Sequence, residues 1–412
     1  MKRIIQVDHG KVRFYTNVKK IFFLILVLAG CQSGNKESGQ TKELPVIDIS
    51  KKYPEKTFIL QDIADIEYIP LETTDEVLLG EYSVIFHVSD KYILVYEKFR
   101  GDIFVFNRNG KAIASFNRTG QGGEEYIGIS WAGVVFDEKT EEIFVFGIDR
   151  ILVYSLNGEF KRKLIPSDAL NIEMAYIYDD ETLLVYLGVT EYIRKTSDYP
   201  YKLLSKKDGQ VVYEFDIHVP VRYKNRVSHP IEFPDGTPGT TSTGIAILYN
   251  MQWGQDFVIA DRSSDTLYRL ASNRELTPVL VRKPSVHSSN PRTVWTSYFT
   301  TDKFMLLQTN ILDLIALEKG VKSPPITLIH DFETGETNKA TFNDVEFEGT
   351  SWLPEPVIVG SHVMPKNTTV RLFQVSTLKL FNENKWLRGK LKELVSNMDE
   401  DDNPVVAIYK FK

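Results

Sequence analysis

Cysteine is almost missing from this chain. A single thiol, Cys31, among 412 residues excludes a disulfide framework. Long apolar runs are missing as well. The one strongly apolar stretch, residues 21–30, has about ten residues where a membrane-spanning helix needs about 20. Basic charge is in deficit: 49 Lys and Arg stand against 55 Asp and Glu, and beyond residue 30 the balance is 43 against 54. Such a surface repels phosphate backbones and anionic headgroups, which argues against nucleic-acid partners and electrostatic membrane docking. Metal-binding spacing is lacking too. After residue 30 the histidines (His87, His218, His229, His287, His330, His362) lie at least 11 residues apart, with no His-x-His or His-Glu-x-x-His, so no metal and no cofactor is expected. There is no Gly-x-Ser-x-Gly nucleophile motif, only the partial echo Gly128 to Ala132. Gly120-Gln121-Gly122-Gly123 has no helix after it to hold a phosphate, so these glycines are read as permitting a tight crossing of the chain.

The lone cysteine lies in an informative place. Lys19 and Lys20 precede the apolar run, small residues Ala29 and Gly30 end it, and Cys31 follows. Leu28-Ala29-Gly30-Cys31 resembles a bacterial lipobox, which implies a signal peptide over 1–30 and acylation of Cys31. More than one acyl chain anchors a protein stably where one does not. Residues 31–43 are polar and rich in Gly and Ser, as a flexible tether should be.

Residues 44–412 are expected to form a single domain. Helical periodicity is missing until the C-terminus, and the chain reads as short β runs punctuated by turns. Tyr92–Tyr96, Asp102–Phe106, Asn109-Gly110 and Lys111–Phe116 make the first clear unit. Val134–Phe136, Glu142–Phe146, Ile151–Tyr154, Asn157-Gly158 and Glu159–Leu164 repeat it 48 residues later. Asn-Gly between such runs predicts type I′ turns with positive φ at both residues. Weaker repeats follow around Asp208-Gly209, Ser272-Asn273 and Thr334-Gly335. One four-stranded antiparallel sheet per repeat predicts an all-β, six-bladed β-propeller, with seven blades as the alternative count. Ile66–Leu71 and Val405–Phe411 are the strands expected to close the ring. One helix, 385–398, is predicted just before the closing strand, with Leu387, Leu391, Leu394, Val395 and Met398 on one face.

The segment Arg118 to Tyr126, leading through Trp131 to Phe136, looks like an NHL-type blade with its Gly-rich inter-blade loop. Together with the lipobox and the two closing strands, the chain resembles the six-bladed β-propeller lipoproteins of Bacteroidetes, of the NHL or TolB-like kind. The family's Gly-Pro-Gly-Glu-Tyr loop stands here as Gly122-Gly123-Glu124-Glu125-Tyr126, without the proline. The resemblance implies an extracytoplasmic, outer-membrane binding or assembly role, and it brings no catalytic residues.

Propellers bind ligands with loops at one mouth of the ring, where aromatic faces and flanking polar groups meet sugars or peptides. Arg118, Gln121, Glu125, Tyr126 and Trp131 lie at one crossing and are candidate ligand contacts, as are Trp295, Tyr298 and Trp352 at later blade starts. Asp149-Arg150 and Asp261-Arg262 recur in register with Glu97-Lys98 and are read as turn stabilisers. Asp265-Thr266-Leu267 resembles a short O-glycosylation motif of exported Bacteroidetes proteins. The preferred function is a monomeric, lipid-anchored binding or scaffolding protein that captures glycan or peptide with outer-membrane partners. A hydrolase or lyase with its active site in the funnel is the alternative.

Overall fold

In the computed structural model, which describes residues 43–412 apart from 148, 167–171, 189–198, 218, 225, 233–235, 245–250, 322 and 349–363, the chain begins with three short strands. These are β1 (Val46–Asp48), β2 (Glu55–Ile59) and β3 (Ala64–Pro70). Blade 1 follows as β4 to β7 (Ser83–Val88, Tyr92–Glu97, Asp102–Asn107, Ala112–Asn117) and blade 2 as β8 to β11 (Val134–Asp137, Glu142–Phe146, Ile151–Ser155, Phe160–Leu164). Blade 3 is β12 to β15 (Ile172–Ile177, Thr182–Leu187, Tyr201–Ser205, Val211–Glu214). A separate hairpin, β16 and β17 (Arg226–Glu232, Pro238–Gly244), precedes blade 4, which is β18 to β21 (Gln252–Trp253, Asp256–Ile259, Thr266–Leu270, Leu276–Lys283). Blade 5 is β22 to β25 (Thr293–Thr300, Phe304–Ile311, Ile326–Asp331, Thr337–Asn343), and blade 6 pairs β26 (Thr368–Phe373) and β27 (Val405–Phe411) with β3.

The chain is a six-bladed β-propeller, which settles the count against seven. Six apolar layers lie between successive sheets. Phe86, Tyr96 and Val105 of blade 1 pack on Val134, Phe136 and Tyr154 of blade 2. Phe144 and Val153 meet Leu183 and Val185 between blades 2 and 3. The sixth layer joins Ile69, Val406 and Ile408 of blade 6 to Ile85, Ile93 and Val95 of blade 1 and so completes a ring. Each central strand is therefore buried on both faces. Alternate side chains serve different layers, and the sequence shows continuous apolar runs in place of a polar–apolar alternation. The first strands are innermost: β4 lies beside β8, β8 beside β12, and β26 beside β4.

The N-terminal strands run round the outside of the ring. β1 pairs in parallel with β21, β2 in parallel with β25, and β3 antiparallel with β27 over seven residue pairs from Val405–Pro70 to Phe411–Ala64. Three consecutive sheet edges are thus covered by one stretch of chain. Buried Asn403 ties the seam at its end. Its side-chain amide donates to the carbonyls of Glu72 and Val77, 2.7 Å each, and its oxygen accepts from the Leu79 N–H at 2.8 Å.

The hairpin turns differ from the expected type. Gly110 (φ +83°) and Gly158 (φ +76°) are left-handed, whereas Asn109 and Asn157 are not. The Gly110 N–H donates to the Asn107 carbonyl at 3.0 Å, and the ladder is bulged at Val105/Phe106, so the turn is type I followed by a left-handed glycine. The Asn107 carboxamide accepts from the N–H groups of Asn109 and Lys111, which favours this form. These glycines also touch the preceding blade. A Cβ on Gly158 would lie 2.4 Å from the Phe116 ring, and one on Gly110 would lie 2.2 Å from the Pro70 carbonyl oxygen. Pro70 in β3 therefore stands to blade 1 as Phe116 in β7 stands to blade 2.

The predicted 385–398 helix is shorter than expected, spanning 389–396, and a second helix that was not predicted precedes it. Helices α1 (Val375–Glu383) and α2 (Gly389–Ser396) lie between β26 and β27, with left-handed Lys385 in the link between them and left-handed Gly389 opening the second. Leu387, Leu391 and Val395 are buried in a layer with blades 5 and 6. Arg388 provides no side-chain cap, and the Glu346 carboxylate instead accepts from the Leu391 N–H at 2.9 Å.

Gly158→Ala combines a left-handed alanine with a collision against Phe116, and it is expected to lower unfolding free energy by about 1–3 kcal/mol. An unchanged denaturation midpoint would show that this turn does not pack on the preceding blade.

Candidate functional site

The turn between the second and third strands of each blade, and the connector to the next blade, leave the sheet from the same end. In blades 1 and 2 these segments meet. Arg118, Thr119, Tyr126 and Gly101 form the join: the Tyr126 hydroxyl donates to the Gly101 carbonyl at 2.6 Å and accepts from the Arg118 N–H at 3.0 Å. The Tyr126 ring is buried, and burial pushes its pKa up to about 12. Arg118 turns its Nε to the Gly158 carbonyl, 2.9 Å away, tying the connector to the next hairpin. Both residues fix the loop: the Tyr126 hydroxyl is spent on it, whereas Arg118 is exposed and holds it through its Nε.

The rest of the connector folds back on itself. The Glu125 carboxylate accepts from the Gly122 N–H at 2.8 Å, and a Cβ on Gly120 would lie 2.0 Å from its Oε2. Glu125 is exposed and its carboxylate can swing aside, so this contact does not by itself demand glycine, and a Cβ on Gly123 would meet nothing within 4 Å. Gln121, Glu125 and Ile127 then form one wall of a cleft whose other wall is Gly147, Asp149 and Arg150 of blade 2. Its volume of about 40 Å³ admits a few waters or the end of one side group, so a larger ligand must lie across it.

Asp149 and Arg150 are paired here, with Nη2 to Oδ2 at 2.7 Å, and the guanidinium holds the Asp149 carboxyl below its ordinary range. Only part of the turn-stabilising reading holds. Buried Glu97 accepts from the N–H groups of Phe99 and Arg100, and Asp261 from that of Ser263, whereas Asp149 faces the cleft. Asp261 is in addition buried against Arg222 at 2.5 Å.

Beside the cleft is an exposed aromatic group. Because Glu97 anchors its turn from below, Phe99 projects outward with 72% of its surface exposed, and Tyr82 packs edge-on to it at 4.8 Å between ring centroids. The Lys98 ammonium lies 3.6 Å from the centroid of the Trp131 ring, which is 49% exposed. Ile127, on the wall of the cleft, is exposed as well. Trp131 was among the candidates from sequence, whereas Tyr82, Lys98 and Phe99 were not. A large aromatic inside the polar turn Glu97–Gly101 was the available signal.

Two candidates belong to the core. Trp295 is 1% exposed and its indole N–H donates to the Ser264 carbonyl at 3.3 Å, while Tyr298 is 2% exposed in the layer between blades 5 and 6. Neither is a surface platform, because blade-start aromatics fill the spaces between inner strands. Trp352, His218 and Cys31 lie outside the described residues. Thr266 opens β20 half-buried, with Asp265 accepting from the Val286 N–H. No group of three or more His, Cys, Asp or Glu among the described residues is arranged to hold a metal ion.

The Asp149 carboxyl is expected to titrate below the normal aspartate range by NMR and to return toward it in Arg150→Gln. Equal midpoints in the two proteins would mean that the pair does not form in solution.

Among solved structures, an exported protein from Bacteroides fragilis NCTC 9343 is similar, with a TM-score of 0.60 at 16% identity over 89% of this chain and 99% of that one. A protein of unknown function from Bacteroides caccae matches with a TM-score of 0.29 at 11% identity over 70% and 81%, and the WD40 β-propeller domain of Doa1 with 0.30 at 11% over 68% and 91%. No curated protein matches the chain in sequence. The family model described as domain of unknown function DUF4934 matches residues 44–410, and the chain belongs to that family.

Proposed function

We propose that the protein is a lipid-anchored, non-catalytic binding protein of the outer membrane that captures a glycan on the loop face of blades 1 and 2. The observation that carries this reading is the exposed aromatic group Tyr82, Phe99 and Trp131 beside the polar cleft of Gln121, Glu125, Asp149 and Arg150. Apolar faces of pyranose rings stack on such aromatics, while amide, carboxylate and guanidinium groups address the hydroxyls. Isolated exposed apolar side chains are ordinary, but Tyr82, Phe99, Ile127 and Trp131 gathered on the loops around a charged cleft favour an interaction surface. Export and anchoring rest on Leu28-Ala29-Gly30-Cys31 after a short apolar run, on the resemblance to Bacteroidetes propeller lipoproteins, and on the exported protein of like fold.

Arrays of polysaccharide fragments and of peptides, probed with the purified protein, test the reading. Retention of a defined set of glycans is expected, with Trp131→Ala and Phe99→Ala each weakening it about tenfold or more, equivalent to roughly 1.4 kcal/mol. Retention of peptides alone, or unchanged glycan binding by both variants, would reject it. In cells, Cys31→Ser is expected to move the protein from the membrane fraction to the soluble one.

A further inference from the structure

The crossing from blade 4 to blade 5 gathers cationic side chains in a chain that is acidic overall. Arg282, at the end of β21, is fully buried. Its Nε donates to the Pro284 carbonyl at 3.0 Å and its Nη1 to the Thr293 carbonyl, which fixes the backbone from which Arg292 projects. The nearest carboxylate, Asp265, is 3.8 Å away and also accepts from the Val286 N–H at 2.7 Å. Burial pulls the Arg282 pKa down to about 10, as expected where anionic contact is thin. Its Nη2 is buried without an acceptor.

Arg292 is held differently. Its guanidinium lies 3.9 Å from the centroid of the Tyr223 ring, its Nε is buried without an acceptor, and no carboxylate among the described residues pairs with it. Stacking on an aromatic face orients a guanidinium and leaves its charge uncompensated. The Tyr223 hydroxyl is 2.9 Å from His287 Nδ1, and the two rings lie 5.4 Å apart. Tyr223 is itself fixed by its N–H to Ser263 Oγ, 2.9 Å, and by packing on the small core of Val227, Val286, Val294, Leu312 and Leu317. His287 and Arg292 are both partly exposed.

We propose that this crossing is an oxyanion-binding site in which the Arg292 fork holds a carboxylate, sulfate or phosphate group. Tyr223 sets the plane of the guanidinium, His287 provides a second donor beside it, and buried Arg282, met only at 3.8 Å by Asp265, adds positive charge behind. The site is separate from the blade 1 and 2 face and does not depend on the glycan reading.

Titration calorimetry of the purified protein with sodium sulfate, sodium phosphate and sodium acetate, at ionic strength fixed with sodium chloride, tests this. Saturable 1:1 binding of at least one anion is expected. Preference for acetate would assign a carboxylate ligand, and preference for sulfate or phosphate a tetrahedral one. Arg292→Gln should weaken binding at least tenfold, and Arg292→Lys should fall between because a lysine keeps the charge but loses the fork. His287→Gln, which leaves Arg292 in place, should cost less. The proposal is overturned if none of the three anions binds saturably, or if folded Arg292→Gln binds like the parent.

Discussion

The seam between β3 and β27 is the constraint on which the rest depends. Every other neighbouring pair of blades is joined by the chain that runs from one sheet to the next. Blades 6 and 1 are joined because residues 64–70 lie on the last strand before the chain enters the first full sheet. A four-stranded sheet with two apolar faces cannot hide both alone, so an open arc of six would expose a face at each end. The seam removes those faces by uniting Ile69, Val406 and Ile408 with Ile85, Ile93 and Val95 in one layer. The same stretch of chain then does more. As β1 and β2 it covers the outer edges of blades 4 and 5, so one N-terminal segment finishes three sheets in succession.

A closed ring makes its loops into a surface. With the strands fixed, the crossing between blades 1 and 2 has little freedom left: Tyr126, Arg118 and Tyr154 tie it to Gly101, Gly158 and Glu124. Phe99 and Trp131 stand exposed on the loops around this tied crossing. Ties of another kind join the blades on the opposite side, where Lys206 meets Asp137 at 2.8 Å and His87 meets Glu138 at 2.9 Å. Each links adjacent blades, so these charges serve the ring. The unbalanced charge is at the blade 4 to 5 crossing, where Arg292 is oriented by an aromatic ring and has no acid partner among the described residues.

Much of this architecture was legible because its signals are local. Asn109-Gly110 and Asn157-Gly158 marked hairpins correctly, since some residue at the turn must be left-handed and glycine is the one that tolerates it. The turn type was not legible. It depends on a bulge where Val105 and Phe106 meet Ala114 and Ala112 and on whether Asn107 uses its side chain to bind the turn. β1 and β2 were also hidden. They have three and five residues, and their partners lie more than two hundred positions away in β21 and β25. The helix over 385–398 followed from real periodicity, yet the break at Lys385–Gly389 and the cap from Glu346 are tertiary facts. Trp295 and Tyr298 show the limit for sites, because an aromatic at a blade start reads alike whether it faces a ligand or the next blade.

Hydrogen exchange followed by mass spectrometry tests the closing seam most directly. If β3 and β27 hold the ring shut, amides of residues 64–70 and 405–411 should be as slow as those of Tyr92–Glu97 and Glu142–Phe146 and should open with them in one cooperative step. Fast exchange across residues 64–70 while the central strands remain protected would show that the ring holds together without its N-terminal strand, and the account would fail.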